Sequence, residues 1–289
     1  MKPTDIHTHG IGGYDTRTCS EEHIMKIAEK HGSLGVSEIL LAIYPSAINI
    51  MRKNMETARK AMEMQRTGTG KFERCAGILG LHLEGPFLNP SRCGAIDGAS
   101  FIEPTMYNFE SLIDGFEDAV KIITVAPELD GASELIREIT NTGIVVSMGH
   151  SDATYAEAES GHNAGAQGIT HIFNAMRGFH HREPGLAGFG LLNQDIYIEV
   201  IADPFHLHPK TIEMIFKTKN PERILIVSDA VRETMSSPRN QGIKDSEGRI
   251  MGGCMAITES AKRLIDMGYD ESIIMKYIAE NPRRYLSVD

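Results

Sequence analysis

Eight short apolar runs, separated by longer stretches that are mostly amphipathic at helical spacing, predict an α/β chain: a single (β/α)8 TIM barrel over residues 1–289. Two further observations favour that fold. The runs are apolar throughout rather than alternating, as expected of parallel strands covered on both faces. Ionisable side chains also gather at the carboxyl ends of the runs, where barrels of this kind keep their chemistry. A doubly wound open sheet is the competitor. It loses ground because no GxGxxG follows an early strand, and Gly10-Ile11-Gly12-Gly13 has the wrong spacing for one.

The expected strands are residues 5–9, 38–44, 77–84, 120–126, 144–149, 168–173, 197–202 and 224–228. Between them, Ser20 followed by Glu21 and Glu22 reads as a helix N-cap with acidic first-turn residues. Residues 48–65 carry Ile50, Met51, Met55, Ala58 and Met62 at helical spacing, a stripe that suits core packing better than a ligand surface. Further helices are expected at 130–142, 154–164, 208–219, 258–267 and 272–281, with Pro282 as the last stop. Residues 89–100 and 232–248 read as long loops, the kind that often serve as active-site lids.

Composition narrows the function. With 29 Lys+Arg against 39 Asp+Glu the net charge is −10, which argues against nucleic-acid binding. No apolar run approaches the ~18–20 residues of a membrane span, and the first residues lack the apolar core of a signal peptide. Cys19, Cys75, Cys93 and Cys254 are scattered without CxxC spacing, so a reduced, cytoplasmic chain is expected, with neither a disulfide frame nor a thiolate zinc site.

Twelve histidines remain as the surplus. His7 and His9 end the first run two apart, on one face of a strand. Glu84 ends the third run, His150 follows the fifth, His171 lies in the sixth, Asp203 and His206 follow the seventh, and Asp229 ends the eighth. Each alone has an ordinary explanation; Asp229, for example, could cap a helix. Together they point to a divalent cation, because carboxylates and imidazoles crowded out of water are costly without one. A ligand set of N and O without thiolate suits zinc, or iron as the alternative, as one or two ions. Water on such an ion has a pKa near ~7, and Asp229 is the natural group to take its remaining proton and pass it to a leaving amine.

The motifs also carry a family likeness. Asp5-Ile-His-Thr-His9, Leu81-His-Leu-Glu-Gly-Pro-Phe87, Met148-Gly-His-Ser151, Thr170-His-Ile-Phe-Asn-Ala-Met176, Arg182-Glu-Pro-Gly185, Asp203-Pro-Phe-His206 and Ser228-Asp-Ala230 resemble the amidohydrolase superfamily, and within it the N-acetylglucosamine-6-phosphate deacetylases. The resemblance implies that Glu84, His150 and His171 hold a principal metal, that His7 and His9 serve a second, with Asp229 beside them, and that Glu84 bridges the two. It further implies that Asp229 is the catalytic acid/base and that Ala95, Asn174, Ala175, Arg182 and His206 face the substrate. Ile250, Met251 and Gly252 resemble the segment that closes over it. An arginine crossing a dimer interface in that family implies a homodimer, and the partner molecule is a small amino-sugar phosphate. Three departures stand out: Ile96 where the family carries a histidine that polarises the substrate carbonyl, Pro204 where it carries glycine, and an expected single catalytic barrel over residues 1–289 with no β-sandwich domain, where the family's barrel comes with a small one built from both chain ends. Loss of one such donor typically costs ~3 kcal/mol. Two alternatives therefore stand beside deacetylation of N-acetylglucosamine 6-phosphate: an amidohydrolase for another N-acyl or cyclic amide, and a non-catalytic sugar-phosphate-binding barrel.

Overall fold

In the computed structural model, which describes residues 2–68, 72, 74–236 and 241–287, eight parallel strands follow one another in chain order round a single sheet. Strands one to eight are Thr4–Thr8, Glu38–Ile43, Gly77–Leu83, Val120–Val125, Val145–Met148, Gly168–Ile169, Tyr197–Ile201 and Ile224–Val227. The first and last are stitched together beyond their ends: the Asp229 N–H donates to the His7 carbonyl at 2.9 Å, and the His9 N–H to the Ala230 carbonyl at 2.7 Å. The predicted barrel is the observed one.

Two apolar clusters divide the packing. The larger lies between the strands and the surrounding helices; Ile39, Leu41, Ile123, Val125 and Ile226 supply its sheet side, and Met51, Met55 and Ala58 belong to it, as core packing required. The smaller, Ile6, Leu40, Ile122, Ile201, Leu225 and Val227 with Tyr285, fills the barrel interior. Strand six needs glycine at its start, because a Cβ on Gly168 would come within 2.0 Å of the Tyr285 hydroxyl.

Helix starts follow the sequence signals. Ser20 caps Glu21–Ser33, its hydroxyl accepting from the His23 N–H at 3.3 Å. Thr154 and Glu157 form a capping box ahead of Tyr155–Ala164. Three expectations are corrected. The sixth strand is two residues rather than six, because the chain turns away at Thr170. Helices Met106–Ile113 and Gly185–Leu192 were not foreseen; the second is apolar on all sides and buried from Gly185 to Leu191, so it shows no amphipathic period. At the end of the chain, Glu271–Met275 passes through a π-helical turn, Lys276–Glu280, into Asn281–Tyr285. Pro282 sits in the first turn of that last segment, where its missing N–H is not needed, and does not stop the helix. Of the long loop at 232–248, residues 237–240 lie outside the described residues. Among the described residues no helix is long and apolar enough to cross a membrane.

Candidate active site

The strand ends deliver their side chains to one place. His7 lies in strand one and His9 just past it; Glu84 follows strand three directly. His150, His171 and Asp229 follow strands five, six and eight, with φ of 47°, 30° and 46°. That left-handed backbone is uncommon for any residue but glycine, and here it falls on three of the six candidate ligands. His171 is thus beyond its strand rather than within it, and Asp229 caps no helix: the chain turns instead through Ala230 toward Arg232–Ser236.

All six are buried. Glu84 is the hub. Its Oε1 lies 3.1 Å from Nε2 of both His150 and His171, and those two nitrogens are 3.1 Å apart. Its Oε2 lies 3.0 Å from His9 Nε2, while His7 Nε2 is 3.5 Å from Oε1. Asp229 Oδ1 stands 3.6 Å from His7 Nε2 and 3.7 Å from His9 Nε2. Two ligand groups result, Glu84–His150–His171 and His7–His9–Glu84–Asp229, sharing one carboxylate.

Donor chemistry decides what this cluster suits. His150 Nδ1 lies 3.0 Å from the Arg92 carbonyl, and His7 Nδ1 lies 3.0 Å from Glu199 Oε2. Each acceptor fixes the proton on Nδ1 and leaves a lone pair on Nε2. Several lone pairs then face one another, and His7 Nε2 is buried with no hydrogen-bond partner among the described residues. A cation resolves that repulsion. Ligands at ~2.0–2.1 Å on a tetrahedral ion lie ~3.3 Å from each other, close to the 3.1 Å spacing round Glu84 Oε1. The residues fit a divalent ion.

The charges are arranged to match. Burial opposes ionisation of Glu84, but His9, His150, His171 and His7 together hold its carboxyl well below the ordinary carboxylate range. Burial likewise opposes a charged His7, but the carboxylates of Asp229, Glu199 and Glu84 outweigh it and raise its pKa, so without an ion a proton occupies the Nε2 position that a divalent cation would otherwise take.

Around these groups lie Glu199, Arg92 and Asp152, whose roles sequence reasoning did not single out, and His82, which its place on the strand face of Glu84 left open between supporting a metal ligand and ordinary core hydrogen bonding. Glu199 is fully enclosed in strand seven, where one acid in an otherwise apolar strand was the available signal. Arg92, whose carbonyl orients His150, is anchored by its guanidinium to Asp152, at 2.8 and 2.5 Å, and Asp152 also takes Arg177 at 2.8 Å. That clamp ties the loop holding Ala95 and Ile96 to the loop after strand five. His82 spends both ring nitrogens on core hydrogen bonds, to the Ile6 carbonyl and the Thr124 hydroxyl, and burial pushes its pKa down to about 3.

A cavity of about 570 Å³ opens over the cluster. Ala95, Asn174, Ala175, His206, Ile250 and Met251 line it, together with Ile96, Arg17 and Tyr44. His206 is aimed by Asp203, whose Oδ2 takes its Nδ1 at 3.0 Å while Oδ1 takes the His206 N–H at 2.9 Å. Gly252 does not line the cavity; it packs on the chain after strand eight, where a Cβ would meet the Asp229 carbonyl at 2.4 Å. Arg182 is exposed, in the His180–Glu183 turn, outside the lining of its own chain's cavity. His180 and His181 are exposed beside it.

No protein-family model matches the chain. Individual proteins do. Over 300 residues it is 29% identical to N-acetylgalactosamine-6-phosphate deacetylase of Escherichia coli O157:H7, covering 99% of this chain and 77% of that protein. It is 31% identical over 280 residues to N-acetylglucosamine-6-phosphate deacetylase of Bacillus subtilis (strain 168), covering 90% of this chain and 68% of the relative. Among solved structures, a mutant N-acetyl-D-glucosamine-6-phosphate deacetylase from Mycobacterium smegmatis, in complex with N-acetyl-D-glucosamine-6-phosphate, superposes with a TM-score of 0.89 at 25% identity, over 99% of this chain and 77% of that one.

Proposed function

The chain belongs to the N-acetylglucosamine-6-phosphate deacetylase family, and from that premise we propose that it hydrolyses N-acetylglucosamine 6-phosphate to glucosamine 6-phosphate and acetate. The observation that carries this reading is the carboxylate of Glu84 set between four imidazoles, with Asp229 beside two of them at the floor of an open cavity. We assign Glu84, His150 and His171 to one divalent ion, zinc before iron, and His7, His9, Glu84 and Asp229 to a second. When bound, such an ion supplies Lewis acidity and makes water nucleophilic near neutral pH.

The chain's own residues do the rest. Asp229 Oδ1 takes a proton from the attacking water and delivers it to the amide nitrogen as the C–N bond breaks. Glu199 and the Arg92 carbonyl keep the protons of His7 and His150 on Nδ1, away from the reacting centre. Asn174, Ala175 and Ala95 position the sugar, the segment Ile250-Met251-Gly252 closes over it, and His206 faces the phosphate. Arg182, exposed on its own subunit, serves the phosphate in a partner's cavity if the protein is a homodimer, which sedimentation equilibrium measures directly. The free thiols of Cys19, Cys75, Cys93 and Cys254 suit a cytoplasmic setting.

The test is release of acetate by metal-loaded protein from N-acetylglucosamine 6-phosphate, with N-acetylgalactosamine 6-phosphate and the unphosphorylated sugars alongside. Asp229→Asn is expected to lower kcat by about 10²–10⁴-fold; an unchanged rate removes Asp229 from the mechanism. Turnover confined to unphosphorylated amides would show the Arg182 and His206 assignments to be wrong.

A further inference from the structure

Part of the cavity wall comes from residues that follow strands one and two: Thr18 and Cys19, then Ser46 with Ile50 and Asn54 of the helix Ile48–Thr67. None of them holds an ion or, in the reading above, the sugar. Ile50 and Asn54 are four residues apart and so share one face of that helix. Spacing placed Ile50 in the core stripe with Met51 and Met55; in the fold those two are enclosed, while Ile50 keeps 47% of its surface. Asn54 is the reverse case, a polar side chain only 6% exposed in a helix interior, where asparagine is disfavoured. Its amide makes no hydrogen bond with any described residue, and neither of its polar atoms is sealed off from the cavity it lines. A nearly buried amide without a partner is costly. Water reaching the wall can serve it, so a ligand that displaces this water must offer a polar group in exchange.

Strand order says which part of a substrate reaches this wall. Asn174 and Ala175 follow strand six and His206 follows strand seven, so the sugar and its phosphate lie on that side. Strand two stands four places from strand six in the ring of eight, across the mouth, with the candidate metal ligands between. In an N-acyl amino sugar the nitrogen joins the ring to the acyl group. With the amide over the ligands and the ring toward strands six and seven, the acyl group points toward strand two. The wall there suits an uncharged tail. Arg17, the one Lys or Arg that lines the cavity among the described residues, is already held by Asp15 at 2.9 and 2.8 Å, so a carboxylate would find no free cation. Ile50 offers apolar surface to methylenes, and the Asn54 carboxamide offers a donor and an acceptor, which a hydroxyl matches.

We propose that this wall is an acyl subsite, and that the substrates it serves are amino-sugar phosphates whose N-acyl group is longer than acetyl and ends in a hydroxyl received by the Asn54 amide. The proposal deepens the deacetylase reading given above and rests on it. The bond broken is the same amide C–N bond: water supplies hydroxide to the acyl carbon, Asp229 passes the proton to the nitrogen, and the products are a hydroxy acid and the free amino sugar.

The experiment uses the metal-loaded full chain with an isosteric pair, N-(3-hydroxypropanoyl) and N-butanoyl glucosamine 6-phosphate, and the N-acetyl compound as reference. The pair differs only in a terminal hydroxyl or methyl. The readout is the ratio of kcat/KM within the pair, in which any general loss of activity cancels. The wild type should favour the hydroxyl member by about tenfold. Asn54→Leu, which keeps the size and suits a helix, should bring the ratio close to one. Ile50→Trp, at a side chain the fold does not enclose, narrows the same wall and should lower kcat/KM on both longer substrates by about tenfold relative to acetyl. A wild-type ratio of one overturns the proposal, as does a preference that survives in folded Asn54→Leu. A long-chain-to-acetyl ratio unmoved by Ile50→Trp overturns it as well, and that variant decides the matter should Asn54→Leu fail to fold. Wild type that cleaves none of the three substrates overturns the deacetylase reading and the subsite together, whereas wild type active on acetyl alone overturns only the subsite.

Discussion

The two ends of the barrel are built by opposite rules. At the amino ends of the strands polar groups meet partners: Glu38 takes the Thr4 hydroxyl at 2.9 Å and Arg283 at 2.5 Å, Glu222 pairs with Lys276 and Arg284, and the Asn281 amide donates to the Pro221 and Ile224 carbonyls at 2.8 Å each. At the carboxyl ends His7 Nε2, His9 Nδ1, His171 Nδ1, Glu199 Oε1 and the Tyr44 hydroxyl are buried without hydrogen-bond partners among the described residues, and His150, His171 and Asp229 have left-handed backbone. The amino end has its own orphans in Asn281 Oδ1 and the Tyr285 hydroxyl, but no group of metal-capable side chains is found there among the described residues. The difference teaches where stability was given up: one end is finished by the protein, the other waits for a ligand to finish it.

The strongest way to break this contrast is to disturb the unfinished end at one remove. Glu199 touches His7 through Nδ1, on the far side of the imidazole from Glu84. Glu199→Leu removes the acceptor that fixes the His7 proton, and metal affinity should fall about 10–100-fold, equivalent to about 1.4–2.7 kcal/mol. Glu199→Gln keeps an acceptor oxygen and should lose less. Metal content after equilibration with a competing chelator measures both, and the melting curve of the metal-free protein controls for folding. Equal metal content in the wild type and the Leu variant would make Glu199 a structural acid only.

The finished end should answer in the opposite currency. Asn281 is fully buried, and its amide satisfies two carbonyls at the root of strand eight. Asn281→Ala strands both, at a cost of about 2 kcal/mol, visible as a melting temperature lower by several degrees. Because no residue of this end lines the cavity, kcat and KM at a temperature where the variant is folded should equal those of the wild type. A catalytic defect in Asn281→Ala would dissolve the distinction between the ends.

How much of this was legible in the sequence follows from the same contrast. Barrel and candidate ligands were readable because strand period and strand order are local: a residue at the end of an apolar run needs no further information to be placed at the mouth. His7, His9, Glu84, His150, His171 and Asp229 all converge as that rule requires. Contacts that depend on where loops travel were not readable. Arg92 and Asp152 are 60 residues apart in the chain, and no pattern in either segment announces their bond. Tyr44 looked like the last residue of a strand, and only the fold sets Arg17 across its ring. Glu199 left a trace, one acid inside an apolar strand, that an argument built on strand ends passed over. The length of strand six failed for a different reason: residues 168–173 read as extended, but the chain leaves the sheet after Ile169 and takes a left-handed backbone at His171, which no local pattern announces.

The smallest expected effect sharpens the comparison at the mouth itself, where a charge is kept rather than left unanswered. Burial works against a protonated His206, but its bond to Asp203 and that carboxylate's charge prevail, so its pKa is raised above 6.5. A raised pKa means the folded protein binds the proton more tightly than the unfolded chain does. The cation's contribution is therefore complete below 6.5 and lost as pH climbs through the raised value. A sugar phosphate is already mostly dianionic above pH ~6, so a change at higher pH reports the imidazole and not the ligand. For the wild type, KM for N-acetylglucosamine 6-phosphate should rise roughly fivefold across that interval, about 1 kcal/mol for an ion pair at a wet cavity wall. His206→Asn should start at the higher KM and stay flat, and the unphosphorylated sugar should show no such slope with either protein. A slope of equal size with the unphosphorylated sugar would move His206 away from the phosphate and toward the amide.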